Sequence, residues 1–205
     1  MRLPRQITRH TTMALIPVSI LTGFLGSGKT TLLKRLLTEA HGQKIAVIEN
    51  EFGEENIDND ILVTESKEQI VQMSNGCICC TIRGDLVQAL SDLNSQRDAG
   101  KIQFDRVVIE TTGLANPGPV AQTFFIDDEV ADTYRLDAII TLVDAKHGPQ
   151  QLDQHEVVQR QVGFADRLFI TKADLVTPEV LQRHGIASYV LSESCIRVGP
   201  RSQVA

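Results

Sequence analysis

Apolar residues along the chain follow two alternating rhythms. Short, near-continuous runs rich in β-branched residues fall at 15–22, 44–48, 104–109, 136–143 and 167–170. Between them the apolar positions take helical spacing. Residues 31–38 form one such stretch, 85–93 another with Leu86, Leu90 and Leu93 on one face, and 149–162 a third. Thr177 followed by Pro178 predicts a further helix start, a capping hydroxyl before proline at the first helical position. An acidic loop at 50–60 and two short apolar runs at 61–64 and 70–73 lie in between, and a last strand is expected at 188–191. Asp127, Asp128 and Glu129 predict a solvated helix end. Continuous apolar strands alternating with helices predict an α/β fold, a mostly parallel sheet covered by helices on both faces. Ligands of such sheets sit at the carboxyl ends of the strands.

The motifs fall just there. Gly23-Phe-Leu-Gly26-Ser27-Gly28-Lys29-Thr30 reads G-x-x-x-x-G-K-[ST] between a predicted strand and a predicted helix, the context a P-loop requires. Its glycines let successive backbone N–H groups converge on phosphate, and the open helix N-terminus adds positive potential. Lys29 can reach the β- and γ-phosphates and the Thr30 hydroxyl can take one position on Mg²⁺. The chain is therefore expected to bind a nucleoside triphosphate.

Three further signals follow. Glu110-Thr-Thr-Gly113 closes the 104–109 strand: the carboxylate can sense Mg²⁺ through water and Gly113 can offer its N–H to the γ-phosphate. Thr171-Lys172-Ala-Asp174 follows the 167–170 strand. The Asp174 carboxylate can accept the two donors of guanine, and the Lys172 stem can pack on the base plane. Thr171 stands where GTPases carry Asn and lacks the second hydrogen-bonding group of an amide. Cys77, Cys79 and Cys80 crowd into four residues, and soft thiolates select Zn²⁺ and similar metals. Glu49, Glu51 and Glu54 could complete a shell; a buried thiol cluster or a redox pair are the alternatives. His147 and His155 read as surface histidines, and Cys195 as a bystander.

Composition narrows the class. The 205 residues are 42% hydrophobic and 22% charged, enough for one well-buried α/β domain. A net charge of −6 argues against a nucleic-acid partner, and no apolar stretch reaches the length of a membrane span. Three thiols so close in an ordinary domain fit a reducing, cytoplasmic setting better than a disulfide framework. Residues 1–13, basic at Arg2, Arg5 and Arg9, are expected to be a disordered or spurious extension; 14–183 form the nucleotide-binding domain; 184–205 form an atypical tail.

Taken in order and spacing, the P-loop, Glu49-Asn-Glu51-Phe-Gly-Glu54, Asn75-Gly-Cys77-Ile-Cys79-Cys80, Glu110–Gly113 and Thr171–Asp174 resemble the CobW-like branch of the CobW/HypB/UreG metallochaperone GTPases, and within it the YjiA-like proteins. The resemblance covers about residues 14–182. It implies a SIMIBI-like P-loop GTPase that holds zinc or cobalt and couples GTP turnover to delivery of the metal to a client metalloprotein. By resemblance Gly26, Ser27, Gly28, Lys29, Thr30 and Thr31 cradle the phosphates, and Glu49, Glu54 and Glu110 belong to switch or metal regions. Cys79 and Cys80 are the preferred ligands within the metal motif, Lys172 and Asp174 face guanine, and a nucleotide-dependent homodimer is implied. Such proteins carry a further C-terminal domain, so a truncated chain is expected. Three rivals stay open: an ATP-dependent P-loop kinase, a zinc-binding module without turnover, and an inactive remnant.

Overall fold

The computed structural model describes residues 14–39, 42–49, 71–74, 82–183, 191–192 and 195–196. Its centre is a parallel sheet of six strands: β1 (Ile16–Gly23), β2 (Ile45–Glu49), β3 (Val71–Ser74), β4 (Arg106–Glu110), β5 (Tyr134–Asp144) and β6 (Arg167–Thr171). They lie in the order β3-β2-β4-β1-β5-β6. The chain winds outward from β1 to β2 and β3, returns through β4, and crosses to β5 and β6 on the other side. The winding direction reverses beside β1, where open parallel sheets place their ligands.

Apolar residues enter a core on each face of the sheet, which explains the near-continuous apolar runs. Successive residues of a strand point to opposite faces. Val18, Ile20, Ala46, Ile48, Val107 and Ile109 enter one core with Leu86, Leu90 and Leu93 of α2 (Ile82–Asp98). Leu21, Ile45, Val47 and Val108 enter the other with Leu33 and Leu37 of α1 (Lys29–Thr38). The helical spacing predicted for 85–93 is thus the inner face of a longer helix.

Two helices were not anticipated beyond the acidic cluster at 127–129: α3 (Pro117–Ile126) and α4 (Asp128–Thr133). The Asn116 side chain caps α3, accepting from the Gly118 N–H at 3.0 Å, and Asp127 caps α4, accepting from the Val130 N–H at 3.1 Å. The single helix expected at 149–162 is two, α5 (Gly148–Gln154) and α6 (Glu156–Gly163). His155 adopts extended backbone between them; its N–H closes α5 on the Gln151 carbonyl while its own carbonyl opens α6. The helix α7 (Pro178–Arg183) begins at the predicted proline. The run at 61–64 lies outside the described residues, as do 188–190 of the expected last strand, and Leu191–Ser192 pairs antiparallel with Cys195–Ile196. Among the described residues no helix is long and apolar enough to cross a membrane.

Candidate functional site

β1 ends in the glycine loop, and the loop's backbone demands glycine. Gly23, Gly26 and Gly28 have φ of 143°, 71° and 94°, a region that side chains with a Cβ rarely adopt. At Gly23 space forbids one as well, since a Cβ would stand 2.5 Å from the Leu142 carbonyl oxygen. Lys29 opens α1 and is 9% exposed. Its Nζ donates to the Gly23 and Phe24 carbonyls at 2.9 and 3.2 Å, so the amine lies over the loop's own backbone. Burial pushes the ammonium below its usual range, against the pull of the Glu110 carboxylate beside it. Ser27 is 1% exposed, yet its hydroxyl has no partner among the described residues. A buried orphan donor, a desolvated ammonium and a helix N-terminus in one loop fit an anionic phosphate ligand. Thr31, next in α1, is exposed.

Across from the loop, Thr30 Oγ1 donates to Glu110 Oε1 at 3.3 Å, joining the start of α1 to the end of β4. A hydroxyl and a carboxylate in contact are a suitable donor set for a hard divalent cation such as Mg²⁺. Beyond β4 the chain turns back on the P-loop. The Thr111 hydroxyl donates to Thr22 Oγ1 at 2.9 Å and the Thr111 N–H to the Leu21 carbonyl at 3.0 Å. Gly113 packs so closely that a Cβ on it would meet Leu25 N at 2.7 Å and Leu25 Cα at 2.9 Å. Gly113 is therefore required by contact with the P-loop backbone, its φ being ordinary.

On the other side, Thr171 ends β6 and its hydroxyl donates to the Ser27 carbonyl at 2.8 Å, with the Val143 carbonyl farther off at 3.4 Å. The threonine thus ties its loop to the P-loop. Lys172 sits at φ 54°, unusual for a residue with a side chain, and its Nζ pairs with Asp144 Oδ2 at 2.8 Å. Burial opposes ionisation of Asp144, but hydrogen bonds from Lys172 and from the N–H groups of His147 and Lys146 outweigh it and hold the carboxyl below its ordinary value. Asp174 lies in the following 3₁₀ turn (Ala173–Leu175), exposed.

Three contributors were missed in the sequence. Asp144 fixes Lys172; a carboxylate ending the fifth strand was its visible signal. Gln161 in α6 donates to the Gly113 and Ala115 carbonyls at 3.1 and 3.0 Å, and nothing in its sequence context announces it. His155 is exposed, as its reading as a surface histidine expects, but its stacking on Phe24 of the P-loop, with ring centroids 4.7 Å apart, was not foreseen.

The candidate metal ligands divide. Glu49 ends β2, paired in register with Glu110 on one side and Ser74 on the other. Glu51, Glu54, Cys77, Cys79 and Cys80 lie outside the described residues. Among the described residues no three His, Cys, Asp or Glu side chains gather to hold a metal ion. β3 does end at Ser74 on the rim where β1, β2 and β4 end, so the chain enters the cysteine segment from that rim.

The fold has close parallels. The zinc chaperone YjiA of Escherichia coli is 54% identical over 160 residues, 78% of this chain and 50% of that protein. The zinc-regulated GTPase metalloprotein activator 1 of Schizosaccharomyces pombe is 40% identical over 181 residues, 85% of this chain and 43% of that protein. This chain therefore spans about half the length of the curated relatives it matches. The crystal structure of Zn(II)-bound YjiA GTPase from E. coli superposes with a TM-score of 0.68 at 42% identity, covering 88% of this chain and 58% of that one. The family model for the CobW/HypB/UreG nucleotide-binding domain matches residues 17–190, and with the P-loop fold and site just described the chain belongs to the CobW/HypB/UreG family.

Proposed function

We propose that this chain is the nucleotide-binding part of a GTP-hydrolysing zinc metallochaperone. The observation that carries the reading is the meeting of three loops at one rim: Thr30 against Glu110, Gly113 against Leu25, and Thr171 on the Ser27 carbonyl. On this reading the N–H groups of Gly26, Ser27, Gly28, Lys29, Thr30 and Thr31 surround the phosphates. Lys29 exchanges the Gly23 and Phe24 carbonyls for phosphate oxygens, and the ligand's negative charge restores the ammonium's usual affinity for its proton. Thr30 and Glu110 would hold Mg²⁺, which when bound neutralises charge on the β- and γ-phosphates. Gly113 offers its N–H to the γ-phosphate, while Lys172 and Asp174 face the base. The names of the relatives, a zinc chaperone and a metalloprotein activator, support zinc as cargo and a metalloprotein as its acceptor.

The finer proposal is that Cys77, Cys79 and Cys80, with Glu49 or Glu54, bind the zinc, and that GTP turnover governs its release. The loops after β2 and β4 leave the same rim as the cysteine segment, so a γ-phosphate that draws those loops inward alters the metal's surroundings. The test is titration of the chain with Zn²⁺ in the presence of GDP or of a non-hydrolysable GTP analogue, with phosphate release measured from GTP and from ATP. Zinc affinity should differ between the two nucleotides, and release should prefer GTP and vanish in Lys29→Ala. Equal zinc affinity in both states refutes the coupling; equal use of ATP refutes the guanine reading.

A further inference from the structure

Both amide hydrogens of Gln161 serve a single loop. Nε2 donates to the Gly113 carbonyl at 3.1 Å and to the Ala115 carbonyl at 3.0 Å. The glutamine itself is fixed: it is 1% exposed, and its own backbone carbonyl accepts the Thr141 hydroxyl of β5 at 2.8 Å. It thus links the α6–β5 layer to the loop that follows β4.

Its other amide atom is the telling one. Gln161 Oε1 is buried and has no hydrogen-bond partner among the described residues. An apolar side chain of similar length would fill the position without leaving an acceptor unpaired, so packing alone does not account for a glutamine there. Its two bonds to the loop do. That loop presses Gly113 onto the backbone of Leu25 in the P-loop. With the Gly113 carbonyl held toward Gln161, the planar peptide fixes the Leu114 N–H in the opposite direction. His155, which leads into α6, stacks on Phe24, so the same helical layer bears on both phosphate-side loops.

We propose that Gln161 is a positioning residue for triphosphate recognition: it holds the Gly113–Ala115 loop in the register from which that loop senses the terminal phosphate. The inference rests on the GTPase reading above and names a residue through which that reading discriminates GTP from GDP. It touches no nucleotide itself, so its removal should spare the diphosphate grip of the P-loop.

The experiment compares the full chain with Gln161→Met, close in volume and lacking both donors, and Gln161→Asn, which keeps the amide but falls one methylene short. Affinities for GDP and for a non-hydrolysable GTP analogue are measured by calorimetry, alongside thermal melting. Both variants should lose about tenfold in triphosphate affinity while GDP affinity stays within about twofold, on the scale of one to two neutral hydrogen bonds. An unchanged ratio of the two affinities overturns the proposal. So does an equal loss of both, or a variant that fails to bind either, since each assigns Gln161 to the fold. A wild-type chain that binds no guanine nucleotide removes the GTPase reading itself, and that control separates the two failures.

Discussion

Replacing Thr171 by valine probes the bond that joins the end of β6 to the P-loop. Valine keeps the volume and the methyl group, and removes only the hydroxyl that donates to the Ser27 carbonyl at 2.8 Å. Thr171 and Ser27 are both buried, so water does not readily replace the lost donor. The net bond contributes about 1 kcal/mol and the stranded carbonyl costs about as much again, so roughly 2 kcal/mol is at stake. For a chain of this size each kcal/mol moves Tm by about 2–4 °C, which places the fall near 4–8 °C. Under the proposed function nucleotide binding should suffer too, because the Ser27 carbonyl belongs to the loop proposed to wrap the phosphates. If half the loss is felt there, GDP affinity drops about fivefold. Thr171→Ser is the control. It keeps the hydroxyl and gives up the methyl, which lies 3.6 Å from where a Gly28 Cβ would be, so it should lose less than 1 kcal/mol. Differential scanning calorimetry and a fluorescent-nucleotide titration read both quantities. A valine variant that melts within a degree of wild type, or a serine variant as damaged as the valine one, refutes the reasoning.

Two further outcomes are expected. Gly113→Ala drives a methyl into the backbone of Leu25, which cannot yield as a side-chain tip would; a loss of about 1–3 kcal/mol is expected in chemical denaturation, with weaker triphosphate binding. Asp144 has a carboxyl held below its ordinary value of 3.8. The carboxylate is favoured in the folded state, so its contribution is whole at neutral pH and falls away as acid takes the solution below about pH 4. Asp144→Asn should be less stable at pH 7, yet lose less than wild type between about pH 5 and pH 3; parallel acid limbs in urea titrations would contradict the assignment.

The parts of this fold legible in the sequence are those fixed by local chemistry. Gly23, Gly26 and Gly28 could be named because only glycine is at ease at their φ values, and Lys29 and Thr30 because their spacing from those glycines is set by one turn. The strands at 15–22, 44–48, 104–109, 136–143 and 167–170 could be named because their apolar residues enter the cores on both sides of the sheet and so run nearly continuously along the chain. The break at His155 was not legible: the apolar spacing of 149–162 runs through it, and only the extended backbone of one residue divides the helix. Gln161 was hidden for another reason. Its partners are 46 and 48 positions away in sequence, and a lone glutamine on a helix predicts a wet surface. Gly113 was chosen for a backbone N–H it could offer, whereas the structure adds a steric requirement that depends on where Leu25 comes to rest.

The order of the strands constrains how metal and nucleotide can communicate under the proposed function. The phosphate loop follows β1, and the cysteine segment is entered from the end of β3. β4 and β2 stand between them, so the two strand ends are separated by three ladder steps, about 14 Å. Among the described residues, coupling between a metal held after β3 and a γ-phosphate held by the β1 loop can run through the strand ends that stand between them. In register those are Glu110, opposite Leu21 on one side and Glu49 on the other, and Glu49, opposite Ser74. Glu110 already touches Thr30. A nucleotide that resets the Thr30–Glu110 contact therefore disturbs the carboxylate adjoining Glu49, and Glu49 adjoins the strand that leads to the thiols. Neutralising Glu49 should consequently weaken the dependence of zinc affinity on nucleotide more than it weakens nucleotide binding itself, whereas neutralising Glu110 should damage both.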